Sequence, residues 1–226
     1  MIEIQGVKKT YKAGDTTVRA LRGVDLAIDK GDFLSIAGPS GSGKTTLLNL
    51  IGCIDNVDEG SISIDGLEVS TLPKNERTSF RRESLGFIFQ SYNLIPVLTA
   101  YENVAFSLQL LGLKESEVKE RTMKILKEVG LEGMESRRPS RLSGGQQQRV
   151  AVARALVKNP LIVLADEPTA NLDSHTGEEI LKLMKTMNEK HGTTFIFSTH
   201  DNMVMEYAQR LVEIHDGEIV SDERRG

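Results

Sequence analysis

A single cysteine, Cys53, among 226 residues leaves nothing from which to build a disulfide framework or a multi-cysteine metal site. That accords with a reducing compartment and with Cys53 as an ordinary packed residue. No apolar run approaches the ~20 residues that a spanning helix needs. The start Met1-Ile2-Glu3-Ile4 has neither a charged leader nor a hydrophobic signal core, so the chain is expected to reach a membrane only through a partner. Internal repeats, low-complexity tracts and long charge runs are also missing. A net charge of -4 and a pI near 5.7 argue against a dominant attraction to nucleic acid or anionic lipid, leaving room only for a local basic patch. With 27% charged residues and 24.9 kDa, the chain can bury a full core, as one domain with a subdomain.

Against this plain background stands Gly38-Pro39-Ser40-Gly41-Ser42-Gly43-Lys44-Thr45, which fits G-x-x-x-x-G-K-[ST]. It follows the apolar run Phe33 to Ala37 and opens an amphipathic segment from Thr46 to Ile51. Glycines let the backbone curl so that N–H groups from about Gly41 to Thr46 converge on an anion, aided by the dipole of the following helix. Lys44 supplies a point charge to the outer phosphates. Thr45 offers a hydroxyl to a magnesium ion, which favours hard oxygen ligands.

Apolar and polar residues alternate from Ile2 to Lys9 and from Val24 to Ile28, as in half-buried antiparallel strands. Asp65-Gly66, between Ser61-Ile62-Ser63-Ile64 and Leu67-Glu68-Val69, marks a hairpin. The runs Phe33 to Ala37, Phe87 to Phe89, Leu161 to Ala165 and Phe195 to Ser198 are apolar on both faces, as central parallel strands are. With helical segments between them they predict a doubly wound α/β core. Between Gln90 and Pro160 helical periodicity takes over. Thr99 and Glu102 form a capping-box pair for a helix toward Leu111, Val118 to Val129 line a second ending at Gly130, and Ser143 begins a third that runs to Val157.

Two further motifs carry chemistry. Asp166 and Glu167 stand at the carboxyl end of a buried strand, where ligands of open α/β sheets bind. Asp166 is placed to hold magnesium. Glu167, one peptide on, points elsewhere and is the candidate to orient the attacking water. Leu142-Ser143-Gly144-Gly145-Gln146 caps a helix N-terminus with a hydroxyl and glycine N–H groups, a second anion site.

This last pentapeptide, followed by Gln147-Gln148-Arg149 and lying ahead of Asp166-Glu167, resembles the signature of the ATP-binding cassette family. The resemblance covers essentially the whole chain. It implies a phosphate-loop NTPase core with a mostly parallel sheet, an antiparallel β subdomain and an inserted α-helical subdomain. The expected layout is one nucleotide-binding domain over residues 1–226, with 1–90 and 160–226 as catalytic core and 91–159 as the helical signature subdomain. Ser143, Gly144, Gly145 and Gln146 would bind the γ-phosphate held by another subunit, so that two copies close head to tail on two ATP molecules. Tyr11 matches the aromatic that stacks on adenine. Gln90 resembles the switch glutamine that reaches magnesium, and His200 the switch histidine that contacts the γ-phosphate. Leu172-Asp173 resembles the loop crossing the dimer interface, with Asn171 where alanine is usual. His175, His191 and His215 read as surface residues.

An active ATPase is therefore expected, with ATP and Mg²⁺ as its cofactors. Phe89 to Val104 and Asp166 to Asp173 resemble the lipoprotein-releasing and macrolide-efflux branch, whose members pair with permeases bearing large extracytoplasmic domains. That implies an ATP-dependent homodimer attached to an integral membrane permease at the cytoplasmic face of the membrane. A cell-division ATPase using the same permease type has similar core motifs. A soluble cassette acting on DNA or ribosomes would carry a coiled-coil insertion or two joined cassettes, which this chain lacks. A GTPase would carry Asn-Lys-x-Asp, which does not occur. A short native tail beyond Arg224-Arg225-Gly226 is compatible with all of these.

Overall fold

The computed structural model describes residues 1–14 and 16–225; Asp15 and Gly226 lie outside the described residues. In chain order the strands are β1 (Ile2–Ala13), β2 (Thr16–Ile28), β3 (Phe33–Ala37), β4 (Glu59–Ile64), β5 (Leu67–Glu68), β6 (Leu85–Phe89), β7 (Ile162–Asp166), β8 (Thr194–Thr199), β9 (Arg210–His215) and β10 (Glu218–Arg224). The helices are α1 (Lys44–Ile51), α2 (Lys74–Ser84), α3 (Ala100–Gln109), α4 (Glu115–Glu128), α5 (Gly144–Leu156), α6 (Ser174–His191) and α7 (Asn202–Tyr207). Contacts divide the chain into two compact units, Met1–Arg81 with Thr194–Gly226, and Arg82–Thr193. The architecture is the α/β phosphate-loop NTPase fold, with parallel and antiparallel pairing both present.

In the first unit, β3 lies between β8 and β9 and runs parallel to both. All five of its residues are buried, as are all six of β8, which is why both read as unbroken apolar runs. Phe33 packs its ring 4.7 Å from Phe197 and 5.7 Å from Phe195, centroid to centroid. Pairing β3 centrally puts the loop after it at the carboxyl edge of the strands, where open α/β sheets bind ligands.

The same unit carries an antiparallel sheet ordered β2, β1, β4, β5. Its strands are longer than alternation alone predicts, because residues 10–12 of β1 and 16–20 of β2 are exposed or half-buried and so carry no buried, alternating face. A bulge between Ile4 and Val7 shifts the pairing of β1, and Asp25 accepts from the Gly6 N–H at 2.8 Å. Ile2 and Ile4 point inward before the bulge; Val7 and Lys9 do so after it. The bulge thus reverses the parity of the inward face along β1. The Asp65-Gly66 hairpin joins β4 to β5 as expected.

The second unit pairs β6 and β7 in parallel and contains α3 to α6. Helix α3 begins with the predicted capping box, Thr99 accepting from the Glu102 N–H at 3.2 Å and Glu102 from the Thr99 N–H at 2.7 Å. Both α3 and α4 stop within about a turn of their predicted ends. Helix α2 was not legible: none of its residues is buried, so no apolar stripe marks it.

Candidate functional site

Gly38 to Thr46 form the turn between β3 and α1, and the geometry of two glycines makes the turn possible. A Cβ on Gly38 would stand 2.1 Å from the Ile214 carbonyl oxygen, and one on Gly43 would stand 2.6 Å from that of Ala20. Both residues also have positive φ. The loop is therefore wedged between β9 and β2 with no room for side chains. Pro39, Ser40, Gly41 and Thr45 face solvent, whereas Ser42 is 2% exposed. The Ser42 carbonyl accepts from the Gly217 N–H at 2.9 Å, and the Gly217 carbonyl accepts from the Arg22 N–H at 2.9 Å. The hairpin between β9 and β10 thus braces the loop from behind.

Helix α1 follows Gly43, whose N-cap position supplies no side-chain hydrogen bond. Lys44 is buried, and its ammonium donates to the carbonyls of Gly38 and Pro39, both at 2.8 Å. A cation sits inside a ring of backbone that also presents N–H groups: the cradle fits a phosphate chain. Tyr11 and His200 belong to this unit. Tyr11 is 37% exposed and its hydroxyl donates to Asp55 Oδ2 at 2.8 Å. Exposed His200 directly follows β8, next to Asp201, which caps α7 by accepting from the Met203 N–H at 2.9 Å.

Gln90, Ser143 to Gln146, Asp166 and Glu167 belong to the second unit. Asp166 is the last residue of β7. Glu167 follows with φ +46, a conformation that costs a non-glycine residue free energy and turns its side chain off the line of the strand. Helix α5 is held against the loop beyond by Gln148, which donates to the Pro168 carbonyl at 2.6 Å. At the head of α5, Ser143 accepts from the Gln146 N–H at 3.3 Å and Gln146 accepts from the Ser143 N–H at 3.0 Å. Ser143 itself is exposed. Its oxygen is used as an acceptor, and its O–H hydrogen is left to donate outward.

The segment after Gln90 bends sharply through Tyr92 and Asn93, both with positive φ. Arg154 of α5 holds this bend by donating to the Tyr92 carbonyl at 2.7 Å and to that of Asn93. Burial pulls the Arg154 guanidinium below the usual arginine range. Asn171 donates to the Gln90 carbonyl at 2.9 Å, and the Tyr92 hydroxyl donates to the Asn171 carbonyl at 3.4 Å. Asn171, which stands where the resemblance implies alanine, thus ties the glutamine loop to the segment that leads into Asp173. Arg154 carried no signal in sequence, and Asn171 stood out only as a departure whose role was not legible, because each acts through a carbonyl that any residue would offer.

Among the described residues no group of three or more His, Cys, Asp or Glu could hold a metal. The side chains of Thr45 in the first unit and of Gln90 and Asp166 in the second each offer the hard oxygen donors that magnesium favours. Cys53 is buried, and burial pushes its thiol up to about 11, the inert state expected of a packing residue.

Residues 21–170 match the family described as ABC transporter. MJ0796, an ABC transporter ATP-binding protein of Methanocaldococcus jannaschii, is 47% identical over 228 residues, covering 99% of this chain and 97% of that protein. The chain belongs to the ABC transporter family. It is an ATP-binding cassette that hydrolyses ATP. A solved dimeric structure of MJ0796 in a post-hydrolysis state bound to ADP and Pi matches the cassette with a TM-score of 0.91 at 46% identity, each chain covered fully. Macrolide export ATP-binding/permease protein MacB of Mannheimia succiniciproducens is 46% identical over 225 residues, which is all of this cassette but 35% of that protein. The cassette thus spans about a third of its MacB relatives. Among its described residues no helix is long and apolar enough to cross a membrane.

Proposed function

We infer that the cassette works as one half of an ATP-closed pair that drives a membrane permease. The phosphate loop of one copy grips the triphosphate through Lys44 and the N–H groups from Gly41 to Thr46. The capped head of α5 in a second copy supplies the opposing wall. The observation that carries this reading is the state of Ser143, whose exposed hydroxyl has its acceptor role filled by Gln146 and its hydrogen free to meet a phosphate oxygen. The dimeric structure of MJ0796 supports the pairing.

Within such a pair, Glu167 orients a water on the γ-phosphorus and takes its proton, as the oxygen bridging to the β-phosphorus leaves with ADP. His200 and Lys44 stabilise charge on the γ-phosphate oxygens, and Tyr11 stacks on adenine. Magnesium, when bound, neutralises charge on the phosphate oxygens, and Thr45, Asp166 and Gln90 are the side chains that would hold it.

The relatives named as ATP-binding/permease proteins support a permease of the macrolide-export or lipoprotein-release kind as the companion, which would hold the cassette at the cytoplasmic face of a membrane. Support comes also from the second unit, where a cavity of about 200 Å³ opens beside Phe87, Phe89, Ser107, Arg154 and Lys158. Ile95, Val97, Phe106 and Leu110, from the segment before α3 and from α3 onward, are large apolar residues left exposed. A permease helix would seat there.

Glu167→Gln tests the core of the proposal. With ATP it should elute as a dimer on gel filtration and hydrolyse at least about 100-fold more slowly, the scale of losing a positioned general base. Parent-rate hydrolysis would remove Glu167 from its role. Mixing a Ser143→Ala cassette with a Lys44→Ala cassette should restore one intact composite site and part of the activity; a mixture as dead as its parts, with subunit exchange demonstrated, would reject closure in trans.

A further inference from the structure

In the reading just given, Tyr11 holds the base of the nucleotide, and the structure restrains that ring to one orientation. Its hydroxyl donates to Asp55 Oδ2 at 2.8 Å. Asp55 is held in turn. Its Oδ1 accepts from the Asn56 N–H at 2.7 Å and from Lys9 Nζ at 3.0 Å. Lys9 is only 7% exposed, donates also to the Asn56 carbonyl at 2.6 Å, and lies 3.4 Å from Asp58 Oδ1. Asp58 closes the set by accepting from the Thr10 N–H at 2.7 Å, beside Tyr11 in the chain. The Lys9 ammonium stands 5.3 Å from the centroid of the Tyr11 ring.

Burying a lysine on β1 is costly, and an apolar side chain of similar length would pack there at lower cost. A fully bonded network around a buried ammonium repays that cost chiefly in orientation. Here the network ends on a phenol hydroxyl; anchoring that atom fixes χ1, and turning of the ring about its own axis is opposed by the in-plane preference of the phenol O–H and by the Lys9 ammonium beside the ring. The bulge in β1 is what brings Lys9 to the inner face, two residues ahead of Tyr11 and near Asp55 after α1.

We propose that Asp55 and Lys9 are positioning residues for the nucleotide base, holding the Tyr11 ring ready to stack before any nucleotide arrives. The inference rests on Tyr11 being the base platform. A preset ring spares the nucleotide the ordering of one side chain on binding, which is equivalent to about 2- to 10-fold in affinity. The gain concerns the base alone, so a ligand without a base should not feel it.

Isothermal titration of the whole chain with ADP and, separately, with inorganic tripolyphosphate tests this. Tyr11→Ala should raise the Kd for ADP by about 10-fold or more, the scale of a lost stacking partner, and leave tripolyphosphate unchanged. Asp55→Asn, Lys9→Met and Tyr11→Phe should each raise the Kd for ADP by about 2- to 10-fold and also spare tripolyphosphate. Tyr11→Ala with Asp55→Asn should be no worse than Tyr11→Ala. If Tyr11→Ala weakens ADP but Tyr11→Phe and Asp55→Asn do not, the positioning role is overturned and the platform stands. If Asp55→Asn weakens tripolyphosphate as much as ADP, Asp55 supports the loop generally and the proposal fails. If Tyr11→Ala leaves ADP affinity untouched, the platform reading falls, and the proposal with it. Tyr11→Phe keeps the ring and its packing, so it decides the matter even if a charge variant does not fold.

Discussion

Helices α1 and α5 both begin at glycine-rich segments, yet they finish their first turns in opposite ways. Helix α1 has Gly43 in place of a side-chain cap, and a buried lysine turned back on the loop. Helix α5 has Ser143 and Gln146 satisfying each other's backbone N–H groups. An uncapped head needs an outside anion to complete it, and so it makes a binding site in its own right. A capped head is complete without a ligand and offers only what its cap leaves over, which for Ser143 is one O–H donor. The difference explains how one chain can carry a strong phosphate site and a weak second contact that matters only when another copy presents a phosphate to it.

Breaking the uncapped head should do the most harm. Gly43→Ala places a Cβ 2.6 Å from the Ala20 carbonyl at φ +108, so the loop must move. ADP affinity should fall by at least about 100-fold by calorimetry, the loss of several charge-assisted hydrogen bonds; near-parent affinity would mean the cradle is not made by that backbone.

The second unit has a half-buried ammonium of its own, and it sharpens the contrast. Lys158 donates to the Arg82 carbonyl at 2.6 Å, and burial, opposed by Glu83, brings it down to about 8. Its folded value lies below the unfolded one, so between about pH 8 and 10.5 the unfolded chain binds more protons and stability rises with pH. Lys158→Met should therefore stabilise the protein by about 2 kcal/mol at pH 7, with the advantage shrinking as pH climbs through that window. Urea unfolding at pH 7, 9 and 10 measures it, and a difference that does not change with pH would refute the buried charge. Removing the lysine that fills the phosphate cradle, by Lys44→Ala, should instead cost nucleotide affinity.

Smallest is the capped head. Ser143→Ala should cost about 1 kcal/mol of stability, the usual worth of an N-cap, and leave ADP affinity of the single chain unchanged while ATP hydrolysis falls. If hydrolysis stays at the parent rate, the two heads are not used together.

Much of this was readable from residue order. Phe33 to Ala37 and the following glycines announced a strand and a phosphate turn because both depend on local properties, full burial and missing side chains. The Thr99 and Ser143 caps were legible for the same reason, each being closed within four residues. The hairpin of β9 and β10 was not anticipated, although Asp216-Gly217 between two alternating segments is a turn signal of the same kind as Asp65-Gly66. Its place behind the phosphate loop could not be read at all, since that rests on a contact between Gly217 and Ser42 far apart in the chain. Helix α2 escaped because a helix with no buried face leaves no periodicity.

Spacing of glycine, lysine, serine and the paired acids set the chemistry of this chain, because phosphate binding uses backbone N–H groups and charges that short motifs specify completely. Tertiary structure alone decided how those groups are held: the wedge of β2 and β9 around Gly38 and Gly43, the Asn171 tie to Gln90, and the Lys9–Asp55 brace on Tyr11. Each of these joins residues distant in sequence through carbonyls, bulges and register, and such partners become neighbours only once the strands have paired.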